Sequence, residues 1–147
     1  LLAKEIQAAW FDGGEPPACL QPAGLKDETP SPAVTSIVET AGERGWKVPK
    51  VHDLRKTMRK FGNEVRPATV IELCQPGHAA RLLAHSETRL VTSFMPCRVA
   101  IYERDGGEVV VSRMNAGLMS YLFPGEIGHV MGEATAETEA ILSRVTL

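Results

Sequence analysis

Beyond residue 31 the apolar positions fall into alternating helical and extended spacings, and glycine or proline marks the breaks between them. Ser31-Pro32 opens a helix, with serine as cap and proline at the first helical position, and Val34, Ile37, Val38 and Ala41 supply a stripe that ends before Gly45. Trp46, Val48 and Val51 predict a short strand. Asp53 caps a second helix in which Leu54, Met58 and Phe61 recur at i, i+4 and i+7 before Gly62. The β-branched segment 68–74 predicts a strand running into Gln75-Pro76, where a third helix starts with Ala79, Ala80, Leu82 and Leu83 on its inner side. Leu90 to Phe94 reads as a strand interrupted by Pro96. Arg98 to Glu103 and Glu108 to Arg113 flank Asp105-Gly106-Gly107 and predict a hairpin, because glycine reaches the positive φ that tight turns demand. Asn115 caps a short helix over 116–122. After Pro124-Gly125 a last helix runs to about residue 145, with Ile127, Val130, Met131, Ala134, Ile141, Leu142 and Val145 on one stripe.

Residues 1–32 differ, holding five of the ten prolines and three of the thirteen glycines. That density breaks any long helix or central strand. Residues 1–11 predict one short element and 12–32 an irregular arm, packed on the domain or a partner because Trp10, Phe11, Leu20 and Leu25 are costly to leave in water. The division expected is an N-terminal element and arm over 1–31 and a single domain over 32–147. Helices interleaved with strands, ending in a hairpin and a terminal helix, predict an α+β two-layer sandwich. Its sheet is mainly antiparallel, with helices on one face.

A length of 147 residues fits one domain, and 44% hydrophobic with 23% charged residues is ordinary for a globular protein. No stretch approaches the roughly 18 apolar residues of a membrane span. Sixteen basic against eighteen acidic side chains give a net charge of −2, which argues against a general nucleic-acid-binding surface. Three cysteines, Cys19, Cys74 and Cys97, are too few for a disulfide-rich scaffold and leave the redox compartment open. If an upstream signal or anchor preceded Leu1, the expected location is the cell envelope or periplasm; otherwise it is the cytoplasm.

Several segments together resemble domain-of-unknown-function family 302. They are Gly45-Trp46-Lys47-Val48, Val51-His52-Asp53-Leu54, Ile71-Glu72-Leu73-Cys74-Gln75-Pro76, the run Met95 to Glu103, and Val111 to Asn115 with Leu118-Met119. The likeness covers roughly residues 32–146. It implies a small α+β domain similar to the TATA-box-binding-protein-like fold, a tendency to dimerise, and no established activity. The family usually opens with a strand leading straight into the first helix, where this chain carries its Pro/Gly-rich arm.

Candidate chemistry centres on the thiols. Cys74 ends a strand just before a helix N-terminus, where free N–H groups stabilise a thiolate, although a free cysteine is commonly a small buried hydrophobe. Cys97 opens a strand behind Met95-Pro96. With the two strand ends adjacent, Cys74 and Cys97 form a disulfide, a thiol pair, or a soft-metal site with Met95, since thiolates and thioethers favour ions such as Cu(I). His78, four residues after Cys74, can orient or deprotonate a thiol; a solvated residue at the helix start is its commoner role. Arg98 and Arg113 flank the hairpin and are candidates for contact with an anion.

Other features read more simply. His129 with Glu126 and Glu133 has a metal-like spacing but lies opposite the apolar stripe, as a solvated polar face does. Residues 47–60 carry six cations against one acid without interleaved aromatics, and they read as a solvated face rather than a nucleic-acid site. Gly128, Gly132, Ala136 and Ala140 recur every four residues, a spacing for close helix packing. No Walker-type loop, GxGxxG, GxSxG, HExxH, EF-hand or CxxC is present, so no catalytic residue or cofactor is assigned. Three readings follow: a small, dimeric binding or accessory module holding a ligand or soft metal near Cys74 and Cys97; a thiol-dependent redox protein using Cys74; and a structural subunit docking through its N-terminal arm.

Overall fold

Five strands form one open antiparallel sheet in the order β1-β5-β4-β3-β2, and its helices pack on one face. The strands are β1 (Leu20–Gly24), β2 (Val51–Asp53), β3 (Ala68–Leu73), β4 (Cys97–Glu103) and β5 (Val109–Met114). The helices are α1 (Pro30–Glu43), α2 (Leu54–Lys60), α3 (Pro76–Leu83), α4 (Ser86–Arg89) and α5 (Glu126–Leu142), with a 3-10 turn at Leu90–Phe94. This computed structural model describes residues 20–25, 30–115, 118 and 120–147. The expected element over 1–11, most of the arm and Cys19 lie outside the described residues.

Period-two alternation decides which side of the sheet is covered. Ile71 and Leu73 of β3, Val99 and Ile101 of β4, and Val111 of β5 are fully buried beneath the helices, and the register aligns Ile71 with Val99 and Ile101 with Val111. From above, α1 contributes Ile37 and Ala41, and α5 contributes Ile141 and Leu142. A second cluster, Leu82, Val91, Ile127, Val130 and Met131, sits where α3 meets the first half of α5. The two clusters flank the sheet end at which β3 stops and β4 starts.

Local chemistry matches these elements. Asp53 Oδ1 accepts from Lys56 N at 2.8 Å, and Gln75 Oε1 accepts from His78 N at 2.9 Å with Pro76 in the first turn. The hairpin closes through Arg104 N donating to Glu108 O and Gly107 N donating to Arg104 O, with Gly107 at φ 89°. Asn115 Oδ1 accepts from Leu118 N at 2.9 Å, as a cap does; residues 118 and 120 are helical, and 116, 117 and 119 lie outside the described set.

Four expectations are corrected. Residues 20–24, read as part of an irregular arm, form β1 against β5 and place Leu25 in the core; Pro22 is tolerated because β1 is an edge strand, where a missing N–H costs no ladder bond. Leu90–Phe94 is a 3-10 turn and not a strand. β3 and β5 already occupy both sides of β4, and Val91 alone is buried, in the α3–α5 cluster. On α3 only Leu82 is fully buried, while Ala80 and Leu83 face solvent. Of the Leu54, Met58 and Phe61 stripe of α2, Leu54 and Phe61 are exposed and Met58 is half-buried, and none of the helix's residues is fully buried.

Candidate functional site

Leu73 lies directly across from Cys97 in the β3–β4 ladder, and the next residue, Cys74, forms an isolated bridge with Lys47 through backbone bonds of 2.7 and 2.8 Å. The two cysteines thus occupy neighbouring rows at one end of the sheet. Both are free thiols. Each lines a cavity of about 70 Å³, room for a few atoms, enclosed by the sheet end, α3, the 3-10 turn and α5. Met95, Met114 and Met131 line it as well, so five sulfur-bearing residues from four different segments border one small space. The alternation that buries Val99 and Ile101 turns Cys97 to the same helix-covered side. Burial pushes the Cys97 thiol above its ordinary range; the charge on Cys74 adds to this, while a backbone hydrogen bond and Arg98 act the other way.

Trp46 and His78 form the polar margin of this cavity. His78 is not the solvated residue its position at the helix start suggests: its side chain is 13% exposed, and its Nε2 lies 2.9 Å from Glu137 Oε1. The buried Trp46 donates Nε1–H to the other oxygen of the same carboxylate at 2.7 Å, and the two rings meet edge to face at 6.2 Å. Glu137 therefore ties the β2-side loop and α3 to α5. His78 Nδ1 lies 3.6 Å from Glu133, which also receives the Arg81 guanidinium; Arg81 Nε reaches Glu126 at 2.6 Å. Glu126 and Glu133 are thus spent on a cross-helix clasp, and His129 stays exposed beside them. No group of three or more His, Cys, Asp or Glu that could hold a metal occurs among the described residues.

A family model for a domain of unknown function, DUF302, matches residues 26–145. The chain belongs to this family. The DUF302 fold is also that of a solved neighbour, an uncharacterised conserved DUF302 protein from Bacillus stearothermophilus, at 18% identity and a TM-score of 0.76, covering 87% of this chain and 98% of that one. Among curated proteins none matches. The resemblance of the short segments is thereby established at the level of family and fold, and the family carries no assigned activity.

Within this DUF302 domain the remaining candidates separate. Arg98 is exposed and stands across from Glu72, on the sheet face opposite Cys97. Arg113 cannot serve as an open anion contact, because its Nε and Nη2 donate to both oxygens of Glu139 at 2.7 Å, filling the fork that an anion would need. Both arginines border a smaller cleft of about 40 Å³ that shares Cys97, Met114 and Ala134 with the main cavity. Sequence reasoning missed Met114, Met131, Trp46 and Glu137. Trp46 is legible only as a core residue and Met131 only as part of a helical stripe. The available signal was Glu133 and Glu137, one turn apart on α5, facing His78 and Arg81 on α3.

No helix of the described residues is long and apolar enough to cross a membrane.

Proposed function

We propose that this domain is a binding module for a soft monovalent metal ion, Cu(I), held in the cavity between the end of the sheet and α3 and α5. The observation that carries the reading is the lining of that space: two free cysteines and three methionines around about 70 Å³. Thiolate and thioether sulfur select Cu(I) over harder ions. Donor type supports the same choice. The methionines complete the coordination with neutral, soft donors, so no further charge need be buried in the apolar cavity. Zn(II) favours Cys, His and carboxylate ligands over thioethers, and a group of three or more of these is not offered by the described residues. Cys97 is stored as the neutral thiol by burial and loses its proton on binding, which couples affinity to pH. That same burial weighs against a redox role for Cys97 as a nucleophile, since the thiolate is the reactive form.

The test is anaerobic competition for Cu(I) against a chromophoric chelator, in a Cys19→Ala background so that the third thiol does not contribute. One Cu(I) per chain is expected, with affinity falling by more than about 100-fold in Cys74→Ser or Cys97→Ser, a larger loss than removal of an outer-shell partner causes. Affinity should rise with pH, and Zn(II) should not compete. Retention of parental Cu(I) affinity by the double serine variant sinks the reading.

A further inference from the structure

We propose that the outer edge of the sheet, built on α2, docks onto an anionic lipid surface. The inference stands apart from the cavity and does not depend on what occupies it. α2 follows β2, the last strand on that side of the sheet among the described residues. The helix buries none of its residues, and its apolar stripe faces outward at both ends: Leu54 is 37% and Phe61 72% exposed. Met58, between them, is half-buried, so the helix keeps contact with the domain while the two ends of its stripe expose area that a purely intramolecular role would cover.

Both ends of the helix are hydrogen-bonded. Asp53 caps the first turn, and Phe61 N donates back to Met58 O at 2.9 Å at the other end, where Gly62 turns the chain away at φ 77°. Lys56 and Lys60 of the helix are exposed, as are Lys47 and Lys50 in the segment leading to β2; Arg59 faces Glu64, and Asp53 is engaged as the cap. The domain is net acidic, yet this edge concentrates cations beside a protruding phenyl ring. That is the pairing interfacial helices use, an apolar residue inserted at the headgroup boundary and lysines attracted to anionic lipid.

Size decides against a protein partner. A stable protein interface takes roughly 800 Å² from each side, and a seven-residue helix with one prominent aromatic offers a tip rather than such a face. Nucleic acid is disfavoured because single-strand binders interleave several aromatics with their cations, and Phe61 stands alone on this helix.

The experiment is co-sedimentation of the full 147-residue chain with phosphatidylcholine vesicles, with and without about one third phosphatidylserine, at low salt and near ~0.5 M. Binding is expected only to the anionic vesicles and only at low salt. Lys56→Gln and Lys60→Gln should each weaken it about fivefold. Phe61→Ser should weaken it about tenfold through lost apolar insertion, with the melting temperature unchanged because the ring is exposed. The proposal is overturned if the anionic vesicles leave the protein in the supernatant, if Phe61→Ser binds as the parent does, or if duplex DNA binds equally well with the same dependence on Lys56 and Lys60.

Discussion

A methyl group added at Gly128 would collide with the Phe123 carbonyl oxygen and stand 2.9 Å from that of Ser120, whereas one added at Gly132 meets nothing within 4 Å. The two glycines look equivalent in a four-residue repeat of small residues, but only the first is required by packing, and its neighbour is the domain's own backbone. Gly128→Ala should therefore destabilise by about 1–3 kcal/mol through forced backbone movement. Gly132→Ala should be neutral or stabilise by up to about 1 kcal/mol, from helix propensity alone. Urea unfolding of the two variants separates these outcomes, and equal effects would contradict the packing account. Cys97 gives a second prediction at this scale. Its folded-state thiol titrates above the unfolded one, so its contribution to stability is full below about pH 8.5 and is lost as pH rises through the raised value. Thermal melts should show the parent losing stability on the alkaline side faster than Cys97→Ala does. The sequence could nominate Cys74, Cys97 and Met95, because both cysteines sit at predicted strand ends and Met95 lies two residues before Cys97. It could not nominate Met114 and Met131, which reach the same cavity from β5 and α5.

Among the elements, α3 and α5 are joined by a group of ion pairs. Arg81 projects between Glu126 and Glu133, and His78 with Trp46 takes Glu137, so three acids one or two turns apart on α5 hold the helix that walls the cavity. The Arg81 guanidinium holds the Glu126 carboxyl below the usual carboxylate range. The sign follows from proton linkage: a depressed folded pKa gives stability that is full above about pH 4.3 and is lost as pH falls through the lowered value. Arg81→Met should then lose less stability than the parent between about pH 5 and pH 3, as read by denaturant melts, with a modest difference because the pair faces solvent. A parent and variant with parallel acid limbs would remove the clasp from the account. Element type was mostly legible, because glycine and proline punctuate the chain and caps such as Asp53 and Asn115 announce helix starts. Leu90–Phe94 was not, since a five-residue apolar run satisfies a strand and a buried turn equally well.

At the scale of the whole molecule, the sequence by itself determined the α+β class, the hairpin, the α5 stripe and the family. These rest on periodicities and turn chemistry that act over a few residues, or on motifs that survive as short strings. Strand order was decided only in three dimensions. β1, drawn from a proline-rich segment, completes the sheet because an edge slot beside β5 accepts a strand that a central slot would reject. Tertiary packing also decided which amphipathic faces were used: α5 spent its stripe on the core, while α2, equally regular in sequence, was left outside at the sheet's edge. The cavity is the plainest case. Its sulfur-bearing residues come from segments 74, 95–97, 114 and 131, and bringing them to the border of one small space takes the β3–β4 register together with the placing of α5 across the sheet. Local pattern fixes which face of an element is apolar; only the closing of long loops and the competition among faces for one core fixes what each face meets.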